Sequence, residues 1–359
     1  MQVNHSISIR ALFLKLRVFM QSTPDVTTEM IETIEMTIEE ITALVREDFS
    51  ATNQLILDEL NSKVPLISEI GHYLINNGGK RLRPLLTLLS AKALSYSGKN
   101  HVLVAAIIEF IHSATLLHDD VVDESNLRRG QPSANAAFGN SASVLTGDFL
   151  YSRAFQMMVR TANMGVLEVM AETTNKISEG EVLQLLNCKN PEVTEEKYLE
   201  VIYHKTGKLF EASCELPAVI HQNTEFLKFR ETLRDYGRYI GNAFQIIDDV
   251  LDYIGDEKTI GKKPGDDLRE GNPTLPLIYV MQHGSKEQAS KIRDAITLGS
   301  DQYFDFIAES VKTSGALAYC YQRAREEAQK AKSTLTSLPD SQAKRAMLAL
   351  CDVAVNRQS

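Results

Sequence analysis

Phe110–Arg129, FIHSATLLHDDVVDESNLRR, is an apolar run that ends in a cluster of acids and then two arginines. On a helix turning about 100° per residue, Asp119 and Asp123 share one face, with Asp120 about 100° round from Asp119. Like charges at that spacing destabilise a bare helix by about 0.2–0.5 kcal/mol. A hard divalent cation bridging the carboxylates would offset the repulsion. The pattern recurs in FQIIDDVLDYIGD (244–256), where Asp248, Asp249 and Asp252 repeat the spacing. Two such helices facing each other make a six-carboxylate mouth. Mg2+ seldom fills its shell from protein alone and shares carboxylates with phosphate and water, so the expected ligand is a phosphate or diphosphate.

Working outward, HVLVAAIIEFIHSATLLHDDVVD (101–123) reads as a helix about 34 Å long. It is apolar nearly all round and should be buried. His112 lies seven residues before Asp119, about 20° off its line, which balances a functional reading against a core one. Asn76-Asn77-Gly78-Gly79 stops the preceding helix. Lys80, Arg81 and Arg83 follow, with Pro84 in a first helical turn. Three cations at a helix start read equally as a solvated face or as an anion site. Arg128-Arg129-Gly130 brings two more beside the acids.

Helical patterning resumes over 134–158, interrupted at Gly147-Asp148, and over 166–186. His204-Lys205-Thr206-Gly207-Lys208 reads as a polar break, a cap or a phosphate contact. GDEKTIGKKPGDDLREGN (255–272) reads as a surface loop whose Lys262 and Lys263 can close over an anionic ligand. Amphipathic helices with breaks near Gly284, Gly299 and Pro339 complete the chain. No fixed-period repeat and no strand alternation is visible, so the fold expected is all-α, with one core over 36–359.

The 359 residues are 43% hydrophobic and 24% charged, a globular composition. A net charge of -9 argues against a general nucleic-acid binder. Four dispersed cysteines without a CxxC pair read as reduced thiols of a cytoplasmic protein. No uninterrupted apolar run reaches the length of a membrane span. Residues 1–35 form an N-terminal extension, and its first 24 residues hold no acid and three basic residues. A dispensable leader, with Met30 or Met36 as alternative starts, is the favoured reading, and an organellar targeting segment is the other.

GGKRLRP (78–84), the first DDxxD with its trailing RRG, the Lys205-Thr206 pair, FQxxDD and GKxxGDDLxEG together resemble the trans-polyprenyl diphosphate synthases. HDDVVDESNLRRGQPSANAAFGNSASVLTGDFLYSRAFQMM (118–158) is most similar to the bacterial octaprenyl branch, which serves quinone biosynthesis. The resemblance implies the isoprenoid synthase helical bundle around a deep central cavity, usually as a homodimer. It implies sequential condensation of isopentenyl diphosphate onto an allylic diphosphate such as farnesyl diphosphate, with two or three Mg2+ ions per site. Asp119, Asp123, Asp248 and Asp252 would then serve the metal. Arg128, Lys205, Thr206, Gln245 and Lys262 would hold the allylic diphosphate; Lys80, Arg83, His112 and Arg129 would hold isopentenyl diphosphate. Asn272 departs from the lysine of close relatives.

Chain-length control is the second implied feature. Thr115 and Ala114, four and five residues before the first Asp, are small where short-chain relatives carry a bulky aromatic. The tunnel floor is therefore expected further down, among Phe155, Met157 and Met158. The rival readings are a short-chain farnesyl or geranylgeranyl synthase, a terpene cyclase and a non-catalytic subunit of a heteromeric synthase. Retention of all six acids weighs against the last two.

Overall fold

Asn100–Val122 is the helix that the apolar run requires, and its faces carry Val104, Ile107, Ile108, Ile111, Ala114 and Leu117, each at most 1% exposed. By length and composition this helix could cross a membrane, yet 67% of its most apolar stretch is buried inside the protein. The structure, a computed structural model, describes residues 36–76, 78–221, 223–255 and 264–357, and the compact unit that contains them begins at Met36.

The elements run α1 (Ile38–Ala43), α2 (Arg46–Glu59), α3 (Pro65–Asn76), α4 (Leu82–Ala93) and the central α5 (Asn100–Val122). A small antiparallel ribbon, β1 (Leu127–Arg128) against β2 (Gln131–Pro132), precedes α6 (Ala134–Phe138), α7 (Asn140–Arg160) and α8 (Met164–Asn187). Next come α9 (Glu195–Ile202), a π-helical turn at Tyr203–Gly207, α10 (Lys208–Val219) and α11 (Arg230–Ile254). The chain then forms α12 (Asp266–Glu270), α13 (Leu275–His283), α14 (Lys286–Leu298), α15 (Phe304–Thr313), α16 (Ala316–Thr334) and α17 (Gln342–Asn356). The all-α expectation holds. Two local expectations do not. The chain breaks at Gly139, whose φ of 88° suits glycine, and not at Gly147-Asp148, which lies inside α7. Gly147 is there because the His118 ring occupies the space of its Cβ. The segment 203–207 is likewise no break, since the π-turn joins α9 to α10 without interruption.

Helix α10 sits in the middle of the bundle, buried from Lys208 through Ala218 and packed against α5, α9's π-turn and α11. It separates two apolar clusters. One holds Leu85, Leu89, Phe210, Tyr236, Ile240 and Met347, and the other Ile107, Ile111, Ala114, Met157, Met158 and Met170. Each such side chain contributes about 1.5–3 kcal/mol when fully buried. The crossing of α10 and α11 is close because α11 presents glycine there. A Cβ on Gly241 would lie 2.9 Å from both Gly207 Cα and Phe210 Cβ, and one on Gly237 would strike the Phe210 carbonyl. Backbone cannot move aside as a flexible side chain does, so Gly237→Ala should destabilise by about 1–3 kcal/mol, read as a lower denaturant midpoint.

Candidate active site

The acid ends of α5 and α11 open on one cavity of about 380 Å³, lined by Asp119, Asp123, Asp248 and Asp249 together with Arg128, Arg129, Lys205, Thr206 and Gln245. Both clusters therefore face a shared space, as their sequence spacing anticipates.

On the α5 wall, burial raises the Asp119 carboxyl to about 7; Lys205 opposes the shift and Glu181 and Asp123 add to it. Burial alone would lower the Lys205 ammonium, but Asp119, Glu181 and Asp123 outweigh it and hold the charge above its ordinary range. Lys205 Nζ lies 2.9 Å from Glu181. The π-turn places it, with Lys208 N–H reaching back to the Tyr203 carbonyl. One extra residue per turn lets Lys205 and Thr206 both reach the cavity, a common use of such turns. Gly180 makes room, since its Cβ would sit 2.9 Å from Lys205 N.

Asp120 faces away from Asp119, as its angular offset requires, and receives Arg128 through Nε at 2.9 Å and Nη2 at 2.6 Å. This pair fixes the ribbon that follows α5. Arg129 and Gly130 form its turn with φ of 54° and 75°, the signature of a tight hairpin. The Arg129 guanidinium donates to the Gly78 carbonyl and fills the space that a Cβ on Gly79 would need.

On the α11 wall, Thr206 Oγ1 donates to Gln245 Oε1 at 2.8 Å, and Gln245 Nε2 donates to Asp249 Oδ1 at 2.7 Å. Tyr198 Oη donates to Asp249 Oδ2 at 2.6 Å. Burial lifts Asp249 to about 7 despite those two hydrogen bonds, with Asp248 and Asp252 adding to the rise. Asp248 is exposed and pairs with Arg357 at 2.7 Å. Asp252 is 2% exposed and accepts the backbone N–H groups of Asp266 and Asp267, at 3.3 and 3.2 Å. The structure thus places Asp249 on the cavity wall and uses Asp252 to hold the start of α12.

A basic shelf adjoins. Arg83 Nη1 lies 3.1 Å from His112 Nε2, and its guanidinium stacks 4.5 Å from the Phe210 ring. Burial lowers Arg83 to about 10, and burial with the charges of Arg83, Arg129, Arg128 and Arg81 drives His112 well down. His112 is therefore neutral and accepts from Arg83. Lys80 is lowered by burial and by Arg357, against Asp248. Arg81 turns through a left-handed backbone, φ 49°, to pair with buried Glu109. Lys262 lies outside the described residues.

Ala114, Met157 and Met158 are fully buried in one cluster. Thr115 is half-buried. Phe155 is 37% exposed with its ring against Tyr151, so the structure does not bring it to the proposed floor. Sequence reasoning missed Arg357, Tyr198, Glu181 and the Asp120–Arg128 pair. Only the last has a sequence signal, the angular offset of Asp120; the others lie in no motif.

Carboxylate oxygens are the donors a hard divalent ion prefers. Among the described residues, no three acidic, histidine or cysteine side chains converge closely enough to hold one alone. The residues fit a metal whose shell is completed by substrate oxygens and water. Asp119 and Asp249 hold protons in the folded chain that the unfolded chain releases, so on their account stability falls as pH climbs from about 4 to about 7. Metal-free protein should melt at lower temperature at about pH 7.5 than at about pH 5.5, and Asp119→Asn should flatten that slope in a thermal melt.

Residues 64–311 match the family model described as polyprenyl synthetase. The chain is 51% identical to octaprenyl diphosphate synthase of Escherichia coli strain K12 over 323 residues, 90% of this chain and 99% of that protein. It is 45% identical to a geranyl-diphosphate-specific all-trans-nonaprenyl-diphosphate synthase of Rhodobacter capsulatus, over 89% of this chain and 98% of that one. Among solved structures, a polyprenyl synthase from Caulobacter crescentus complexed with calcium and isoprenyl diphosphate superposes with a TM-score of 0.87 at 40% identity, covering 90% of this chain and 99% of that one. A fold of opposed acid-ended helices, a shared cavity and a match across most of the described chain lead to one assignment: this protein belongs to the polyprenyl synthetase family and is a prenyltransferase.

Proposed function

We propose that this chain condenses isopentenyl diphosphate head-to-tail onto an allylic diphosphate, farnesyl diphosphate being the preferred starter, to give an all-trans product of octaprenyl length for a quinone side chain. The observation that carries the reading is the single cavity on which both acid clusters and the cations Arg128 and Lys205 converge. The 51% identity to an octaprenyl diphosphate synthase supports the product length.

Asp119, Asp123 and Asp248 are the residues that would hold two or three Mg2+ ions, which supply positive charge to the leaving diphosphate when bound. Arg128, Lys205, Thr206 and Gln245 grip the allylic diphosphate, and Lys262, outside the described residues, is proposed to serve with them. Developing negative charge at the breaking C–O bond meets these fixed cations, which need no reorganisation at that moment. Lys80, Arg83 and Arg129 place the second diphosphate, since a planar guanidinium grips two oxygens at once. Neutral His112 orients Arg83 by accepting its N–H. The new carbon–carbon bond leaves a cation that loses its proton to the departed diphosphate, since none of the described residues assigned to the substrates here is an evident base. Buried Ile111, Ala114 and Leu117 exclude water that would quench the cation to an alcohol.

Among the described residues, seven of the thirteen exposed large apolar side chains, Leu145, Phe155, Val159, Met164, Val182, Leu185 and Leu186, lie on α7 and α8, which supports a homodimer through those helices. Four free cysteines support a cytoplasmic location.

Incubation with labelled isopentenyl diphosphate, farnesyl diphosphate and Mg2+, followed by chromatography, should yield a forty-carbon product; product stopping at fifteen or twenty carbons would favour a short-chain synthase. With Ala114 and Met158 in one apolar cluster, Ala114→Phe should shorten the chain and Met158→Ala lengthen it, and an unchanged spectrum from both would reject that floor. Each isoprene buries five carbons, about 3–4 kcal/mol at about 0.8 kcal/mol per CH₂. Release of the long product should therefore limit turnover: single-turnover rates should exceed steady-state rates, and detergent should raise only the latter.

A further inference from the structure

Tyr198 on α9 belongs to neither acid cluster nor the group of cations, yet it lines the same cavity and is 5% exposed. Its hydroxyl begins a chain of three hydrogen bonds whose donors converge on Asp249 from both sides. Tyr198 donates to one oxygen of Asp249 at 2.6 Å, and Gln245 donates its amide N–H to the other at 2.7 Å. That fixes the amide of Gln245, turning its carbonyl toward Thr206, whose hydroxyl donates at 2.8 Å. The chain thus runs from α9 through α11 to the π-turn that carries Lys205 and Thr206.

We propose that Tyr198 is a positioning residue that ties the second acid cluster to the allylic-diphosphate side of the site through Asp249, Gln245 and Thr206. A buried carboxyl oxygen stripped of the phenolic donor that satisfies it must reorient to find another. If Asp249 turns, the Gln245 amide loses the acceptor that sets which way round it lies, and the Thr206 hydroxyl loses its fixed acceptor. Asp248 immediately precedes Asp249 on α11, so the backbone that presents it shares the disturbance. The basic shelf is built separately, from Arg83 on His112 and Phe210 and from Arg81 on Glu109. None of those groups belongs to the chain. Loss of the Tyr198 hydroxyl should therefore weaken one substrate site and spare the other, a split that general loosening would not produce.

The inference rests on the condensation proposed above, and its test separates the two. Wild type and Tyr198→Phe are assayed with farnesyl diphosphate, isopentenyl diphosphate and titrated Mg2+, after melting curves confirm folding. The variant should show KM for farnesyl diphosphate and the half-saturating Mg2+ concentration each raised about fivefold or more, with KM for isopentenyl diphosphate within about twofold of wild type. Tyr198→4-fluorophenylalanine, which fills the space of the hydroxyl but donates nothing, should give the same split and serves if the Phe variant does not fold. Tyr198→4-aminophenylalanine, which restores an N–H donor at that place, should bring the constants back. Unchanged constants in an active variant, all three moving together, or no recovery with the amino side chain would overturn the inference while leaving the condensation intact. A wild type that makes no product from these substrates would remove the reading beneath it as well.

Discussion

Carboxylates crowded at the ends of two helices repel one another, and burial makes the repulsion worse. The protein tolerates this at its cavity because five of the six acids have different remedies. Asp120 takes Arg128, Asp248 takes Arg357, Asp249 takes Tyr198 and Gln245, and Asp252 takes the backbone of α12. Asp119 faces Lys205 across the cavity and sits at the edge of ionisation. A site in this condition is primed for divalent charge carried in with an anionic ligand, since that charge relieves what the fold leaves strained.

The scaffold exists to hold those ends together. Helix α10 separates the two apolar clusters and sets the spacing of α5 and α11, which lean on it from either side. Its approach to α11 is as close as glycine permits at positions 237 and 241. The π-turn at its start spends one additional residue to aim Lys205 and Thr206 inward, and Gly180 on α8 leaves the space for that turn. Packing and site geometry meet here: Gly241 packs against Gly207 of the π-turn, and Gly180 leaves the room beside Lys205.

Beside the acids, the cationic shelf is ordered by contacts other than ion pairing alone. Arg83 rests on an aromatic ring and a neutral imidazole, which fix its geometry without neutralising it. The Arg129 guanidinium reaches back to Gly78, closing the Gly78-Gly79 turn against the β1–β2 ribbon. Along α5, Leu117, Ala114, Ile111, Ile108, Ile107 and Val104 continue as buried apolar core.

The all-α class, the burial of the central helix, both DDxxD clusters and the basic turn before α4 were legible from sequence, because helical periodicity converts spacing directly into a shared face. Helix ends were less legible: Gly147 reads as a breaker until His118 is seen filling its space, and a π-turn has the same residues as a polar break. Which members of the second acid triplet reach the cavity was not legible either. Asp252 has the spacing of a ligand but is claimed by the backbone of α12, while Asp249 is turned to the cavity and to Tyr198. Phe155 adjoins the two methionines in sequence but points out of the bundle, since the α7 surface is divided between core and exterior. Arg357 and Tyr198 carry no motif at all. Spacing along one helix is a local property that sequence determines; the partner a side chain meets across helices is set by how the bundle closes, and only the tertiary structure decides it.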